Sequence, residues 1–233
     1  MSKLLLTSNG LSNDTIKKAF LDLVGKPAND IKVAFIPTAG LADAGDKEWL
    51  INDMYRIRSL GCYVDVVDIA QLKKDEWLPR VDVCDVIFVG GGNTFYLSYW
   101  MQQSGLFEML PELLKNKVYA GISAGSIVTG ASLTLTSQAI KNPRAFEDEQ
   151  YELFGPVGRS SAKSLHFVDF VFRSHFNSRF FFMVNKDELE KRAKEIRQTV
   201  YALDDDSALK VVDGKVTEVV SEGEWIKVDP KND

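Results

Sequence analysis

The stretch at 83–89, "VCDVIFV", ends in four consecutive apolar residues, and Val118–Ile122, "VYAGI", carries no charged residue. A strand with one face in water alternates apolar and polar side chains. A run without that alternation has to be covered on both faces. Short runs of similar character stand at 4–6, at 31–37 ("IKVAFIP") and at 63–69, and they take turns with segments of helical pattern. One helix is expected over Asp14–Val24, with Asn13 as its cap and Gly25 at its end. The segment "DKEWLINDMYRIRSLG" predicts another closing at Gly61, and two more are expected over 94–101 and 106–115. Pro111 inside the last predicts a kink or a break. Strands alternating with helices predict an α/β fold, a mainly parallel sheet covered on both faces. Sheets of that kind collect ligands at the carboxyl ends of their strands, and the glycine clusters of this chain follow its predicted strands.

The last third reads differently. Residues 137–163 are polar and irregular, which predicts a long functional loop. A strand is expected over 165–172, a charged helix over 185–198 and a strand over 199–204. The alternating stretch "SALKVVDGKVTEVVSEGEWIKV" around Asp213-Gly214 predicts a C-terminal β-hairpin. No linker, repeat or low-complexity tract interrupts the chain, so residues 1–233 are expected to form a single domain, and 45% hydrophobic residues suffice for its core.

The net charge of −5, with no basic run, argues against a nucleic-acid or anionic-membrane partner but leaves room for a small anionic substrate. No apolar run approaches the ~18 residues of a membrane span. The opening "MSKLLLTSNG" is too short in its apolar part for a signal-peptide core. A soluble cytoplasmic protein is the expectation. Cys62 and Cys84 fit neither a metal-ligand motif nor a disulfide framework and are read as reduced core residues.

Gly121-Ile-Ser-Ala-Gly125 follows the apolar run at 118–122 and matches the G-x-S-x-G pattern of a nucleophile elbow. A serine on a sharp strand-to-helix turn is held in a strained conformation that exposes its Oγ, and its neighbours must be small because strand and helix nearly touch. Ser123 is thus the candidate nucleophile, and the Ala124 amide beside it a candidate oxyanion donor. A second cluster, Gly90-Gly91-Gly92-Asn93-Thr94, ends the preceding strand. It lacks the Lys-Ser/Thr of a P-loop and the spacing of a dinucleotide fingerprint, which favours Gly91 and Gly92 as further oxyanion donors over a phosphate cradle.

A serine hydroxyl needs a base, and imidazole serves near neutral pH. The chain has two histidines. His166 stands near the start of a predicted strand, the wrong end. His175 lies three residues past Phe172, at the edge where the chemistry should sit. The orienting carboxylate is expected from Asp204-Asp205-Asp206, with Asp205 preferred and either neighbour able to substitute.

With "GGGNTFYL", "GISAGSIVTGA", "VDFVFRSHFNSR" and "YALDDDSALKVVDGKV" in this order over residues 90–216, the chain resembles the peptidase E family of serine peptidases, which comprises aspartyl dipeptidases with cyanophycinases as relatives. The resemblance implies a three-layer α/β/α sandwich related to class I glutamine amidotransferases. It also implies peptide-bond hydrolysis by a Ser-His-Glu or Ser-His-Asp arrangement, with no metal or organic cofactor. Carried over motif by motif, the roles fall on Ser123, His175 and Asp205, with Gly91 or Gly92 and Ala124 at the oxyanion. The run of three Asp departs from the Glu of the aspartyl dipeptidases. Asn93, Arg173 and Arg179 are candidate substrate contacts, and Arg144 and Arg159 could equally pair with a substrate carboxylate.

The leading expectation is a serine exopeptidase acting on dipeptides or other short peptides, Asp-X among them, as a monomer or homodimer. Two other readings remain open. An esterase of the α/β-hydrolase type would need its acid before His175, at Asp148, Asp169 or a glutamate between them. A binding protein with this fold would have lost turnover through the altered acid motif.

Overall fold

The computed structural model describes residues 1–42, 44–139 and 162–230. Strand β1 (Lys3–Thr7) lies between β5 (Val118–Ile122), parallel to it with Leu5 opposite Ala120, and β8 (Ser207–Val212), antiparallel with Leu5 opposite Lys210. Beyond β5 come β4 (Val86–Val89), β2 (Lys32–Ile36) and β3 (Tyr63–Val66), each parallel to its neighbour. Beyond β8 comes β9 (Lys215–Ser221), antiparallel. The result is a seven-stranded sheet in the order β3-β2-β4-β5-β1-β8-β9, parallel through its first five strands.

Successive residues of one strand feed different cores, as the unbroken apolar runs require. Leu4 and Leu6 of β1 and Ile87 and Val89 of β4 pack with Trp77 of α4 (Lys74–Asp82), Phe95 and Met101 of α5 (Thr94–Gln103) and Leu106 and Leu110 of α6 (Leu106–Leu113). Leu5, Val86 and Phe88 face the other way, against Ile16 and Phe20 of α1 (Asp14–Val24) and Leu50 and Ile57 of α3 (Glu48–Ser59). The expected three layers are present. Asn13 caps α1 by accepting from the Ile16 amide at 2.9 Å, and Gly25, left-handed at φ 73°, closes it. Cys62 and Cys84 are both buried and unpaired.

Several elements differ from expectation. Helix α4 occupies 74–82, so the strand expected from 83 begins only at Val86. Helix α6 runs through Pro111 without a break and stops at Leu113, two residues short of the expected end. Helix α8 (Thr134–Ala139) takes up the start of the loop expected from 137; residues 140–161 of that loop, with Arg144, Asp148 and Arg159, lie outside the described residues. The strand expected over 165–172 is confined to β6 (Val171–Arg173). Upstream of it the Leu165 and Phe167 amides donate to the Val128 and Thr129 carbonyls at 2.8 and 2.9 Å. His166 between them is left-handed at φ 52°, a conformation foreign to a ladder.

The hairpin at Asp213-Gly214 forms with both residues at positive φ (48° and 76°), the signature of a type I′ turn. Its expected continuation does not. Strand β10 (Trp225–Val228) leaves β9 and pairs antiparallel with β7 (Val200–Leu203), Trp225 opposite Leu203, while β7 pairs parallel with β6. These three make a separate sheet. Helix α9 (Lys186–Ile196), capped by Asn185, precedes β7.

This topology gathers the segments that matter. Thr7 pairs with Ile122 and Val89 with Gly121, so β1, β5 and β4 end side by side and release Ser8, Ser123 and Gly90–Gly92 at one edge. Ala208 at the start of the antiparallel β8 lies opposite Thr7, which brings residues 204–206 to the same edge. Strand β5 turns at once into α7 (Ala124–Ile127), and the turn is tight. A Cβ on Gly121 would lie 2.7 Å from the Gly125 carbonyl, and one on Gly125 would lie 2.2 Å from the Val89 oxygen. Both contacts are with backbone, which cannot swing aside. Gly125→Ala should therefore lose about 1–3 kcal/mol of stability or more. Gly25→Ala, with nothing within 4 Å of the added carbon, meets only the cost of its left-handed backbone. Thermal melts of the two variants check this; equal Tm values would refute the close approach.

Candidate active site

Ser123 is the residue between β5 and α7. Its backbone is at φ 46°, ψ −105°, a region that a non-glycine residue adopts only under constraint. The constraint is visible. Its amide donates to the Thr7 carbonyl at 3.1 Å, while its own carbonyl accepts from the Ser126 and Ile127 amides at 2.9 and 2.8 Å. Gly121 and Gly125 leave no room for a gentler bend. The Tyr119 hydroxyl, fully buried, donates to the Gly125 carbonyl at 2.6 Å and fixes the turn from below.

His175 follows β6 by two residues and is left-handed at φ 62°. Its Nε2 lies 3.0 Å from Ser123 Oγ and its Nδ1 lies 2.6 Å from Asp205 Oδ1. A carboxylate can only accept, which assigns the imidazole proton to Nδ1 and leaves Nε2 to accept from the serine hydroxyl. The ring stacks on Phe181 with centroids 4.4 Å apart and planes inclined by 10°.

Of the three consecutive acids, Asp205 alone reaches the imidazole. Asp204 is occupied in its own turn: it accepts from the Asp206 amide at 3.1 Å, from Ser207 Oγ at 2.6 Å and from the Glu224 amide. Asp206 is exposed, and its carbonyl accepts from the Glu222 amide. Burial pushes the Asp205 carboxyl upward. The His175 hydrogen bond and charge, the Ser8 hydroxyl and the Arg56 guanidinium together outweigh it and hold the group below the ordinary carboxylate range.

The glycine loop lies against Ser123: a Cβ on Gly91 would fall 3.5 Å from Ser123 Cβ. Gly92, at φ 126°, is pressed on the backbone of Ala39 in α2 (Thr38–Leu41), where an added Cβ would come within 2.4 Å. Among the described residues the Gly91, Gly92 and Ala124 amides have no acceptor within the protein.

Two other candidates adjoin the site in sequence, Asn93 after Gly92 and Arg173 before Ser174. Asn93 is 1% exposed, and its Oδ1 caps α5 by accepting from the Phe95 and Tyr96 amides at 3.1 and 3.0 Å; its Nδ2 is buried and unpartnered. Arg173 is buried at the end of β6, whereas Arg179 is exposed with its guanidinium 4.7 Å over the Phe180 ring. His166 is exposed and takes no part in the Ser123–His175–Asp205 chain. Asp169 is exposed as well. Two hydroxyls entered the site unannounced. Ser174 Oγ lies 3.1 Å from Ser123 Oγ, and Ser8 Oγ accepts from the His175 amide at 2.7 Å while donating to Asp205 Oδ1 at 3.0 Å. Among the described residues no group of acids, cysteines and histidines could hold a metal ion.

The turn that carries Ser8 rests on a buried acid. Asp53 of α3 is 4% exposed, its Oδ1 would lie 3.4 Å from a Cβ on Gly10, and Arg56 Nη1 sits 3.6 Å from it while donating to the Asn9 carbonyl at 2.8 Å. Burial, opposed by the Arg56 charge, pushes the Asp53 carboxyl up to about 7. An acid with a raised native pKa holds its proton more tightly when folded. Its contribution is therefore full below its unfolded value, about 4, and is lost as pH rises through about 7. Asp53→Asn should gain in Tm on wild type between about pH 4 and pH 8; a Tm difference that stays constant over that range would refute the buried acid.

Comparison with known proteins agrees with the geometry. The family model for peptidase family S51 matches residues 4–219. The uncharacterized peptidase Lmo0363 of Listeria monocytogenes is 29% identical over 154 residues, covering 63% of this chain and 66% of that protein. Peptidase E of Haemophilus influenzae is 29% identical over 189 residues, covering 78% and 77%. A solved Listeria monocytogenes structure superposes with a TM-score of 0.71 over 99% of this chain and 100% of that one; at 23% identity it speaks to the fold. The match over nearly the whole length settles membership: the chain belongs to peptidase family S51, and it is a hydrolase of the serine-peptidase kind.

Proposed function

We infer that this chain is a dipeptidase-like exopeptidase that cleaves short peptides through Ser123, His175 and Asp205, and the observation that carries the reading is His175 held at 3.0 Å from Ser123 Oγ and 2.6 Å from Asp205. Ser123 Oγ attacks the scissile carbonyl carbon as its proton passes to His175 Nε2. Asp205, kept anionic by its surroundings, stabilises the imidazolium that results. The Gly91 or Gly92 and Ala124 amides, without an acceptor among the described residues, take the charge on the carbonyl oxygen. His175 then gives its proton to the leaving amine, and the ester left on Ser123 is hydrolysed by water that returns a proton through the same nitrogen. The steps call on no metal and no organic cofactor. The 2.6 Å contact of Asp205 with the imidazole supports the order Ser…His…Asp along the chain over an acid placed before His175.

The resemblance to aspartyl dipeptidases makes Asp-X dipeptides the first substrates to try, with Arg179 an exposed cation among the described candidate contacts. A dipeptide library incubated with wild type and Ser123→Ala should show cleavage by wild type alone, read by mass spectrometry, with Asp-X members consumed first. No cleavage of any member by wild type would overturn the exopeptidase reading.

Members of a triad act as a unit, so their losses do not add. Ser123→Ala, His175→Ala and the double variant should leave similar residual rates, while Asp205→Asn should cost about 10³- to 10⁴-fold in kcat. Additive losses in the double variant would mean that the histidine is misassigned.

A further inference from the structure

We propose that Ser8 is a positioning residue for this reaction, the single hydroxyl that fixes His175 and Asp205 relative to each other. The proposal rests on the reading of Ser123, His175 and Asp205 as the reacting chain. Ser8 is fully buried at the end of β1. Its Oγ accepts the His175 amide at 2.7 Å and donates to Asp205 Oδ1 at 3.0 Å, the same oxygen that meets His175 Nδ1 at 2.6 Å.

The direction of these bonds is enforced. An amide only donates and a carboxylate only accepts, so the hydroxyl's single proton is committed to Asp205 while its oxygen accepts from His175. The consequence for the histidine is direct, because its left-handed backbone at φ 62° has to be held against its own preference. Thr7, the neighbour of Ser8, takes the Ser123 amide on its carbonyl at 3.1 Å, so two adjacent residues touch all three members. The rest of the turn grips the acid segment: Ser12 Oγ donates to the Asp205 carbonyl at 2.8 Å and Asn13 Nδ2 to the Asp206 carbonyl at 3.0 Å. Losing the Ser8 hydroxyl leaves the His175 amide without an acceptor and removes one donor from the carboxylate, so ring and acid can drift apart while Ser123 stays in place.

The test is the rate at which a fluorophosphonate labels Ser123, measured on protein shown by circular dichroism to be folded. Ser8→Ala should slow labelling by about 10- to 100-fold, the ratio expected for one hydrogen bond to a charged group. Ser8→Thr, which keeps the hydroxyl, should recover most of that rate. In an Asp205→Ala background the same Ser8→Ala change should cost less than it does in wild type, since of its two partners only the His175 amide is left. A folded Ser8→Ala that labels at the wild-type rate, or a loss undiminished in the Asp205→Ala background, overturns the proposal and leaves the reading of the triad standing. If Ser8→Ala does not fold, Ser8→Cys takes its place in the same cycle. If wild type is labelled no faster than Ser123→Ala, it is the reading of the triad that fails. The NMR resonance of the His175 Nδ1 proton then decides the Ser8 contact by itself: an upfield move in the Ser8 variant supports it, and an unmoved resonance overturns it.

Discussion

The site depends on one steric fact, the contact of backbone with backbone where β5 turns into α7. Gly121 lies on Gly125, and Gly125 lies on the last carbonyl of β4, at separations that admit no side chain. Because the chain has no slack there, Ser123 is driven into a conformation it would otherwise avoid, and its hydroxyl is presented at the edge of the sheet. The strain is sustained by the surrounding order: the Thr7 carbonyl, the first turn of α7 and the buried Tyr119 hydroxyl each hold one side of the bend. The buried parallel strands are in this sense the machinery that holds the Ser123 hydroxyl at that edge.

The second half of the site comes from a different sheet. Strands β6 and β7 run parallel with Arg173 opposite Ala202, so the chain leaves both in the same direction and delivers His175 and Asp205 to one place. Asp205 then sits on the connection from β7 into β8, which belongs to the large sheet. The acid is thus a hinge point between two sheets, tied to the small one through β7 and to the large one through β8 and the Ser8 turn. Its depressed pKa reflects that position: burial alone would raise it, and the imidazole, hydroxyl and guanidinium around it reverse the sign.

Much of this was legible in the sequence because it is written locally. Unbroken apolar runs announce a sheet buried on two faces, and Gly-x-Ser-x-Gly announces a cramped turn whatever surrounds it. Scarcity helped too, since a chain with two histidines offers few choices of base. Among the three acids, choosing one needed coordinates: neighbours in sequence point in different directions, and Asp204 is consumed by its own turn. Ser8 carried no signal at all, for a serine in "LTSNG" looks like any loop serine until β1 is known to lie beside β5 and β8. Asn93 has a second role that the sequence did not suggest, since its Oδ1 caps α5. The strand expected before His175 shrank because alternation cannot reveal that Thr129 and Val128 carbonyls will claim its amides.

Strand β10 pairs with β7 instead of extending the hairpin, and so completes the sheet whose strands lead into His175 and Asp205. Residues 225–228 cover the edge of β7 immediately before the acid segment, and the Glu224 amide binds the Asp204 carboxylate next to Asp205. A stretch that looks dispensable from the sequence is the buttress behind the carboxylate. Trimming back to Ser221 would strip one flank of β7, unclasp the Asp204 turn and slacken Asp205 from behind, with Ser123, His175 and Asp205 all still in the polypeptide.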